Sequence, residues 1–413
     1  MRPLPDMQAE ILDRMPLLDE VEVDWSEAVG GVLARPIDAP EDLPGFENAA
    51  MDGFAVIAAD TQSTPVELSV IDDVPAGCVP SVAVAKGTVV RIMTGAQIPD
   101  GADAIVPVEA TEPVGDDSVR ILEGASVADH IRPAGGSVRE GTRVFDPGLR
   151  LRPTHVAVLA SMGVRPIIRR RPIVAVMSTG NELVSPATPS LEAGTIRDSN
   201  RTLVAALIAD LGADVIDYGI VSDNGAAFEQ VIDDAALRAD VIITSGGVSM
   251  GAYDVVKLSL RERADVDFWK IAMQPGKPFG FGMIGETVFF GLPGNPVSVF
   301  VSYEQFVRPA LLAMMGADLL YRERVEGVLD DGVVTNPEKA VFVRVAGGPG
   351  TDGRWHVSRS GGQSSNVLSA LALADALAAI PVGVGEVAAG GTVALEMIHR
   401  PETRTRREVL GDR

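Results

Sequence analysis

The chain has 413 residues, of which 57 are acidic and 35 are basic, and its formal net charge is −22. Apolar residues make up 46% of the sequence and charged residues 22%, so there are enough apolar residues to form several hydrophobic cores. The length predicts roughly two to four domains. A surface this acidic repels phosphate backbones and anionic bilayers, which disfavours nucleic-acid and membrane partners.

The cysteine content and the lack of long apolar runs bear on the cellular compartment of the protein. Cys78 is the single cysteine, which excludes an intrachain disulfide and is typical of a reducing environment. We expect its side chain to be a small packed group. Residues 1–20 lack the basic start and unbroken apolar stretch of a signal peptide, and no run elsewhere reaches membrane-spanning length. We therefore expect a cytoplasmic protein.

The predicted elements begin with a discontinuous N-terminal linker or helical domain, formed by residues 1–45 and 130–165. The residue pattern is typical of helices in three segments: Met7 to Leu18, Trp25 to Leu33 and Pro153 to Met162. Between the two parts, residues 46–129 alternate short β-type runs with Gly, Pro and Asp turns. This texture predicts a β-rich inserted domain.

Residues 166–316 predict an open parallel α/β domain. Apolar, β-branched runs alternate with helical patterns in the order strand, helix, strand, helix, strand, and a further strand leads into a long helix that ends at Met315. Gly212 is a stop signal for the first of these helices. Residues 320–400 return to short strands, which predicts a small C-terminal β-barrel domain. The fold class is therefore α/β plus β, in several domains.

Glycine-rich and polar turns follow the strands of the α/β region, where open sheets bind their ligands. Glycines permit close backbone approach, and helix starts offer free N–H groups to anions. We expect Asn295 to cap the last helix, with Pro296 in its first turn. No Walker motif and no Rossmann motif follows a strand. The candidate ligand-binding residues are Ser178, Gly180, Ser245, Gly246, Gly247, Ser249, Pro275, Gly276, Pro293, Gly294 and Asn295.

Charged residues in the same turns suit a metal and an anion. Glu182, Asp223 and Asp254 carry the hard oxygen ligands that Mg²⁺ prefers, although each could equally be a helix cap or a solvated acid. Lys270 and Lys277 flank the Pro-Gly turn and form a local basic cluster, although lysines on turns are often only solvated. The four histidines show no zinc-ligand spacing.

The motifs, in this order, resemble the molybdopterin molybdenumtransferases, known as MoeA-type proteins in bacteria and as the E domain of gephyrin in animals. The resemblance spans essentially the whole chain. It is carried by residues 48–55 (NAAMDGFA), 91–96 (RIMTGA), 178–183 (STGNEL), 245–249 (SGGVS), 275–278 (PGKP), 292–296 (LPGNP), 342–344 (FVR) and 363–366 (QSSN).

The resemblance implies an elongated four-domain homodimer whose α/β domain is MoaB- or Mog-like. Its substrates would be molybdate and adenylylated molybdopterin. Molybdate would replace copper or protons at the pterin dithiolene, and AMP would leave by Mg²⁺-assisted cleavage of the phosphoanhydride. The molybdopterin adenylyltransferase is a further candidate partner.

The resemblance also implies roles for individual residues. Glu182, Asp223 and Asp254 would handle metal and phosphate, and Lys270 and Lys277 would hold pyrophosphate and oxyanion charge. Arg344 and Ser365, with Lys277, would bind molybdate. The remaining catalytic candidates, Asp52 and Thr94, would reach the cleft from the partner subunit.

Two positions depart from the family pattern. Many relatives carry a lysine where this chain has Gln274, and many carry Gly-Glu-Asp where it has Gly135-Gly136-Ser137. Two other functions stay open, an adenylyltransferase that uses only the α/β domain and a non-catalytic scaffold of the gephyrin type. The sequence also leaves open whether molybdate or tungstate is preferred.

Overall fold

The structure is a computed structural model that describes residues 1–222, 225–247, 259–260 and 264–399. Its helices bury apolar faces and end at breakers such as Gly212, which has the left-handed φ of 90° that follows a helix end. The helices are α1 (Leu4–Asp13), α2 (Pro153–Ser161), α3 (Asn200–Leu211), α4 (Gly225–Arg238), α5 (Pro296–Ser302), α6 (Arg308–Met314) and α7 (Leu368–Ala372), with one π-helical segment, Tyr303–Val307.

The strands fall into three stretches of the chain. The first stretch holds β1 (Glu20–Glu22), β2 (Val32–Leu33), β3 (Ile37–Asp38), β4 (Asn48–Ala49), β5 (Gly53–Val56), β6 (Val66–Val74), β7 (Thr88–Ile92), β8 (Ala104–Pro107), β9 (Thr111–Val114), β10 (Ser118–Ile121), β11 (Ile131–Arg132) and β12 (Arg143–Phe145). The second holds β13 (Ile167–Arg169), β14 (Ile173–Thr179), β15 (Leu183–Val184), β16 (Ile196–Arg197), β17 (Asp214–Val221), β18 (Val241–Ser245), β19 (Asp265–Lys270), β20 (Met273–Gln274), β21 (Pro278–Ile284) and β22 (Thr287–Leu292). The third holds β23 (Arg324–Leu329), β24 (Val333–Val334), β25 (Ala340–Pro349), β26 (Trp355–Arg359), β27 (Ala376–Ile380), β28 (Glu386–Val387) and β29 (Gly391–Met397).

The chain forms two compact units. The larger unit contains Met1–Ala34, Pro147–Arg152 and the chain from Ile167 onward, and the smaller unit contains Arg35–Asp146 and Pro153–Pro166. This division into two units is coarser than the four predicted domains, whose boundaries stay a prediction.

A six-stranded sheet with the order β17-β14-β18-β22-β21-β19 forms the centre of the larger unit. The first four strands in this order, β17, β14, β18 and β22, are parallel to one another. The last two, β21 and β19, pair antiparallel with their neighbours. β14, β18 and β22 are almost wholly buried, because helices cover their faces and their side chains are apolar on both sides. Helix α1 packs Met7 and Ile11 into the same core.

A closed barrel forms the C-terminal part of the larger unit. Its strands run β25-β26-β23-β29-β27, and β27 pairs back with β25, so this ring of strands has no free edge. The mixed α/β and β fold class is thus confirmed. The two-residue strand β20 joins the sheet region to the barrel by pairing with β25, with Met273 opposite Ala340 and Gln274 opposite Val341.

The smaller unit has its own six-stranded sheet, in the order β8-β5-β7-β6-β10-β9. Two apolar clusters fill it, one around Phe54 and Val106 and the other around Val90 and Ile105. This agrees with the β-rich texture expected for that stretch of sequence.

Three expectations need correction. Trp25 to Leu33 is not a helix but a 3-10 turn, Trp25–Glu27, followed by β2, because Gly30 takes a left-handed φ of 83° between them. The last helix is interrupted by the π-helical segment. The four strands predicted for the sheet are parallel, and β21 and β19 extend it as two antiparallel strands that were not predicted. Cys78 is exposed rather than packed.

Within the described residues, no helix has both the length and the apolar character needed to cross a membrane.

Candidate active site

The ends of three neighbouring parallel strands bring the predicted turns to one edge of the sheet. Ser178 on β14 lies opposite Ser245 on β18, and Ser245 lies opposite Leu292 on β22. The turns that begin at these three positions therefore start at the same level of the sheet, as expected for a binding edge of an open α/β fold.

The glycines of these turns allow close backbone approach. Gly246 has a φ of 87°, and a Cβ there would lie 2.5 Å from the Thr179 carbonyl oxygen. Gly247 also has a left-handed φ, 71°. A Cβ on Gly180 would lie 2.8 Å from both carboxylate oxygens of Glu182, so this acid folds over the first turn. A larger residue at Gly180 or Gly246 would displace these groups.

Buried polar atoms at this edge lack partners. The side-chain oxygens of Thr179, Thr244 and Asn200 are buried and make no hydrogen bond to any described residue. By contrast, the buried Ser178 hydroxyl donates to Asp198 at 3.1 Å. Unpaired buried oxygens are costly, so they point to a polar ligand at the strand ends. Sequence reasoning missed Thr179, Thr244 and Asn200, although each stands within or next to a motif.

The predicted metal-binding acids are only partly described. Asp223 and Asp254, like Ser249, lie outside the described residues. The exposed Glu182 carboxylate makes no hydrogen bond or ion pair within the described part of the chain, so it is free to bind a cation. Across the described ranges, no three His, Cys, Asp or Glu side chains group as a metal site needs. The three-acid site stays a prediction.

A cleft of about 1310 Å³ lies where the sheet region meets the barrel. The Met273–Pro278 turn, the start of α5 and the barrel loops supply its walls. Four predicted ligand-binding residues line it: Pro275, Gly276, Asn295 and Ser365.

The two predicted lysines stand beside the cleft rather than among the described residues that line it. Lys270 ends β19 opposite Pro278, and the Lys277 carbonyl accepts a hydrogen bond from the N–H of Ile271 at 2.8 Å. Both side chains are exposed. The backbone thus holds the two lysines at one end of the β19–β21 pair, and their joint role in binding an anion stays a prediction.

Arg344 is fully buried on β25, next to the cleft-lining residues Phe342 and Val343. One guanidinium nitrogen donates to the carbonyls of Gly362 and Ser364, at 2.7 and 3.2 Å. Within the described ranges, its Nε and its other terminal nitrogen have no partner. Burial lowers the pKa of this guanidinium, since no carboxylate offsets the desolvation. A buried cation with unused donors is a ready partner for an oxyanion.

The turn before α5 is tied to the barrel. Asn295 occupies the N-cap position but, contrary to expectation, its side chain does not cap the helix. Its carboxamide instead donates to the Ser365 hydroxyl at 2.9 Å. Gly294 accepts a hydrogen bond from the Asn200 carboxamide at 2.7 Å, and Pro293 is buried beside it. These contacts hold the two motifs together at the cleft.

Asp52 and Thr94 form a separate pair in the smaller unit. The backbone N–H and the hydroxyl of Thr94 both donate to one Asp52 oxygen, each at 2.7 Å. The two hydrogen bonds from Thr94, with the nearby charge of Arg91, lower the pKa of the Asp52 carboxyl against a small desolvation. The structure therefore brings these two predicted residues together across 42 positions of sequence.

Two further residues of the cleft escaped sequence reasoning. Lys339 lines it and donates to the Gln274 side chain at 3.4 Å. Gln363 makes hydrogen bonds of 3.0 and 3.1 Å with the Arg344 backbone, which holds the Gly362–Asn366 loop against β25. Gln363 belongs to one of the quoted motifs, whereas Lys339 carried no signal.

Comparisons with known proteins cover most of the chain. Residues 2–163 match the MoeA N-terminal region (domain I and II), residues 175–313 a probable molybdopterin binding domain, and residues 326–398 the MoeA C-terminal region (domain IV). The solved structure of the molybdopterin biosynthesis moeA protein from Pyrococcus horikoshii OT3 is similar, with a TM-score of 0.82 and 28% identity, over 96% of this chain and 100% of that one.

Curated relatives match over nearly their full length. Molybdopterin molybdenumtransferase 2 of Mycobacterium tuberculosis (strain ATCC 25618 / H37Rv) is 41% identical over 405 residues, which covers 94% of this chain and 98% of that protein. The molybdopterin molybdenumtransferase of Haemophilus influenzae is 36% identical, over 95% of this chain and 98% of its own length. The chain therefore belongs to the molybdopterin molybdenumtransferase family.

Proposed function

We propose that this chain inserts molybdate into adenylylated molybdopterin, with release of AMP, during molybdenum cofactor biosynthesis. Family membership supports the class of reaction. The observation that carries the chemistry is the buried Arg344 guanidinium, which has two nitrogens without partners beside a cleft of about 1310 Å³. A cleft of this size is large enough for a nucleotide-sized ligand.

Molybdate binding falls to Arg344 and Ser365, with Lys277 nearby. A planar guanidinium can donate two parallel hydrogen bonds to an oxyanion, and burial strengthens them because little water competes. Ser365 adds a hydroxyl whose position is held by Asn295. The oxyanion would replace copper or protons on the dithiolene, so these residues have to hold it without reacting themselves.

The strand-end edge suits the phosphate-bearing part of the substrate. Gly246 and Gly247 permit close backbone approach, and the unpartnered oxygens of Thr179 and Thr244 offer hydrogen bonds. These turns and the cleft both lie in the larger unit, so one extended substrate could use both.

Glu182 suits Mg²⁺, because its carboxylate is exposed and has no partner among the described residues. We propose that Glu182, Asp223 and Asp254 hold it. When bound, it would offset the negative charge that develops as the phosphoanhydride is cleaved. Lys270 and Lys277 would add positive charge to the same phosphates.

We further propose a cytoplasmic homodimer of elongated shape, in four domains with the boundaries 1–45 with 130–165, 46–129, 166–316 and 320–400. In it, Asp52 and Thr94 would reach the cleft of the partner subunit. The hydrogen-bonded state of Asp52 supports this role, because it keeps the carboxylate ionised and oriented. The adenylyltransferase that makes the substrate is a candidate partner.

The test measures AMP release from adenylylated molybdopterin, with and without molybdate and Mg²⁺. We expect release that requires both. No release, alongside an active relative in the same assay, would exclude the proposal. Consumption of ATP with free molybdopterin would instead indicate an adenylyltransferase, and a tungstate arm measures oxyanion preference. Arg344→Lys should abolish release, whereas the matched surface variant Arg238→Lys on α4 should not.

A further inference from the structure

Two charged residues stand among the described residues that line the cleft, Glu338 and Lys339. They are adjacent in the turn that leads into β25. Glu338 is exposed and Lys339 is half-buried. Among the residues that line the cleft, Lys339 is thus the cation that a ligand would meet directly. Arg344 is buried and is not part of the lining.

The Lys339 ammonium is held in place by an uncharged partner. Its Nζ donates to Gln274 Oε1 at 3.4 Å, a long hydrogen bond. Within the described part of the chain it makes no ion pair. An ammonium has three donors, so two remain for a ligand. Among the described residues, no carboxylate is paired with this ammonium.

The backbone around Lys339 is fixed on both sides. Its own N–H donates to the Asn336 carbonyl at 3.2 Å, and the next residue, Ala340, donates to the Ala272 carbonyl at 2.9 Å. Gln274 lies in register with Val341. Strand pairing therefore brings the backbones of Lys339 and Gln274 together at the cleft, so the lysine side chain starts from a fixed position before a ligand arrives.

We propose that Lys339 is a substrate-binding residue that holds an oxyanion in the cleft, with Gln274 as its positioning residue. The inference rests on the proposed function for the source of the oxyanion, which is either molybdate or the phosphate of the adenylyl group. In a protein of net charge −22, Lys339 adds a positive charge to the lining of the cleft, where an anionic ligand needs one.

The neighbouring acid provides a matched control. Glu338 shares the turn and the cleft with Lys339 but carries the opposite charge. If the ligand is an anion, removal of the lysine charge weakens binding, and removal of the glutamate charge does not. If the ligand is a cation, the two effects exchange.

The experiment titrates the full-length protein with sodium molybdate and, separately, with AMP by calorimetry at low salt. Five proteins are compared: wild type, Lys339→Gln, Lys339→Arg, Glu338→Gln and Lys86→Gln, which removes an exposed lysine from the smaller unit. We expect Lys339→Gln to weaken at least one anion about tenfold, the loss of one charge-assisted hydrogen bond. Lys339→Arg should stay close to wild type, and added salt should reduce the difference.

The anion that loses affinity identifies the source, molybdate or phosphate. The inference is overturned if Lys339→Gln binds both anions as wild type does, if wild type binds neither, or if Glu338→Gln or Lys86→Gln loses as much. AMP release is measured on the same proteins. Release that is unaffected by Lys339→Gln removes the inference and leaves the proposed function. Lysine-dependent anion binding without any AMP release would support the inference and exclude the proposed function.

Discussion

The Asn295 carboxamide donates a 2.9 Å hydrogen bond to the Ser365 hydroxyl, which joins the turn before α5 to the barrel loop. We predict that Ser365→Ala and Asn295→Ala each lower the free energy of unfolding by about 1 kcal/mol, because each removes this one bond. Molybdate-dependent AMP release should fall much further in Ser365→Ala, because only that variant loses the hydroxyl that we place on the oxyanion. Denaturant unfolding and the release assay measure the two quantities. Equal loss of activity in both variants would mean that Ser365 acts only through Asn295.

Arg344 should be dispensable for stability and necessary for binding. Arg344→Met removes a buried charge that no described carboxylate balances, while the carbonyls of the exposed residues Gly362 and Ser364 can turn to water. Since an unpaired buried charge is destabilising, we expect the free energy of unfolding to change by less than about 1 kcal/mol, or to rise. Calorimetry should show no molybdate binding. A strongly destabilised but molybdate-binding variant would contradict both parts.

The Asp52–Thr94 pair predicts a pH dependence. The two Thr94 hydrogen bonds lower the pKa of Asp52, so they stabilise the fold above the ordinary aspartate pKa of about 3.9. That stabilisation is lost as pH falls through the lowered value. Thr94→Val removes the hydroxyl bond and should move the Asp52 pKa upward, as followed by carboxyl NMR titration. Thr94→Ser keeps both donors and should leave the pKa unchanged.

The stability that His356 gives the barrel should depend on pH in the opposite direction. It lies 3.0 Å from an Asp330 oxygen and 3.3 Å from an Asp352 oxygen, and these two carboxylates raise its pKa. The stabilisation is complete below the unfolded histidine pKa of about 6.5 and is lost as pH rises through the raised folded value. The difference in Tm between wild type and His356→Gln should therefore shrink from pH 6 to alkaline pH, roughly across that range. A difference that is constant over pH would exclude the ionic contribution.

A buried ion pair fastens the π-helical segment to the barrel connection. Arg322 donates to both Glu304 oxygens, at 2.8 and 2.9 Å, and the Glu304 side chain is only 2% exposed. Glu304→Ala leaves the arginine unpaired and should lower the free energy of unfolding by about 3–5 kcal/mol. The double variant Glu304→Met with Arg322→Met should recover most of this loss in denaturant titrations. No recovery would show that the segment depends on other contacts.

The strand-end turns could be predicted because the information is local. A buried parallel strand is a short β-branched run such as Ile173–Met177, and the glycines that follow it need conformations that other residues avoid. The carboxyl ends of neighbouring parallel strands meet by topology, so Ser178 and Ser245 had to lie together.

The parts that sequence reasoning missed depend on distant contacts. Lys339 and Gln274 are 65 residues apart and meet only because β20 pairs with β25. β19 and β21 form an antiparallel addition to the sheet, and neither was predicted as a strand. Trp25 to Leu33 has helical composition, but pairing of β2 with β13 overrides it. The side chain of Asn295 has a distant partner that outweighs its local preference for capping.

The two-residue pairing of β20 with β25 also bears on the construction of chimaeras. Met273 and Gln274 come from one side of this seam, and Ala340 and Val341 come from the other. Because Arg344 lies a few positions along β25, the seam sets its distance from the Pro-Gly turn. A hybrid enzyme whose barrel comes from another species should therefore inherit both sides of the seam together, because otherwise the proposed oxyanion pocket would combine strands that do not pair in either parent.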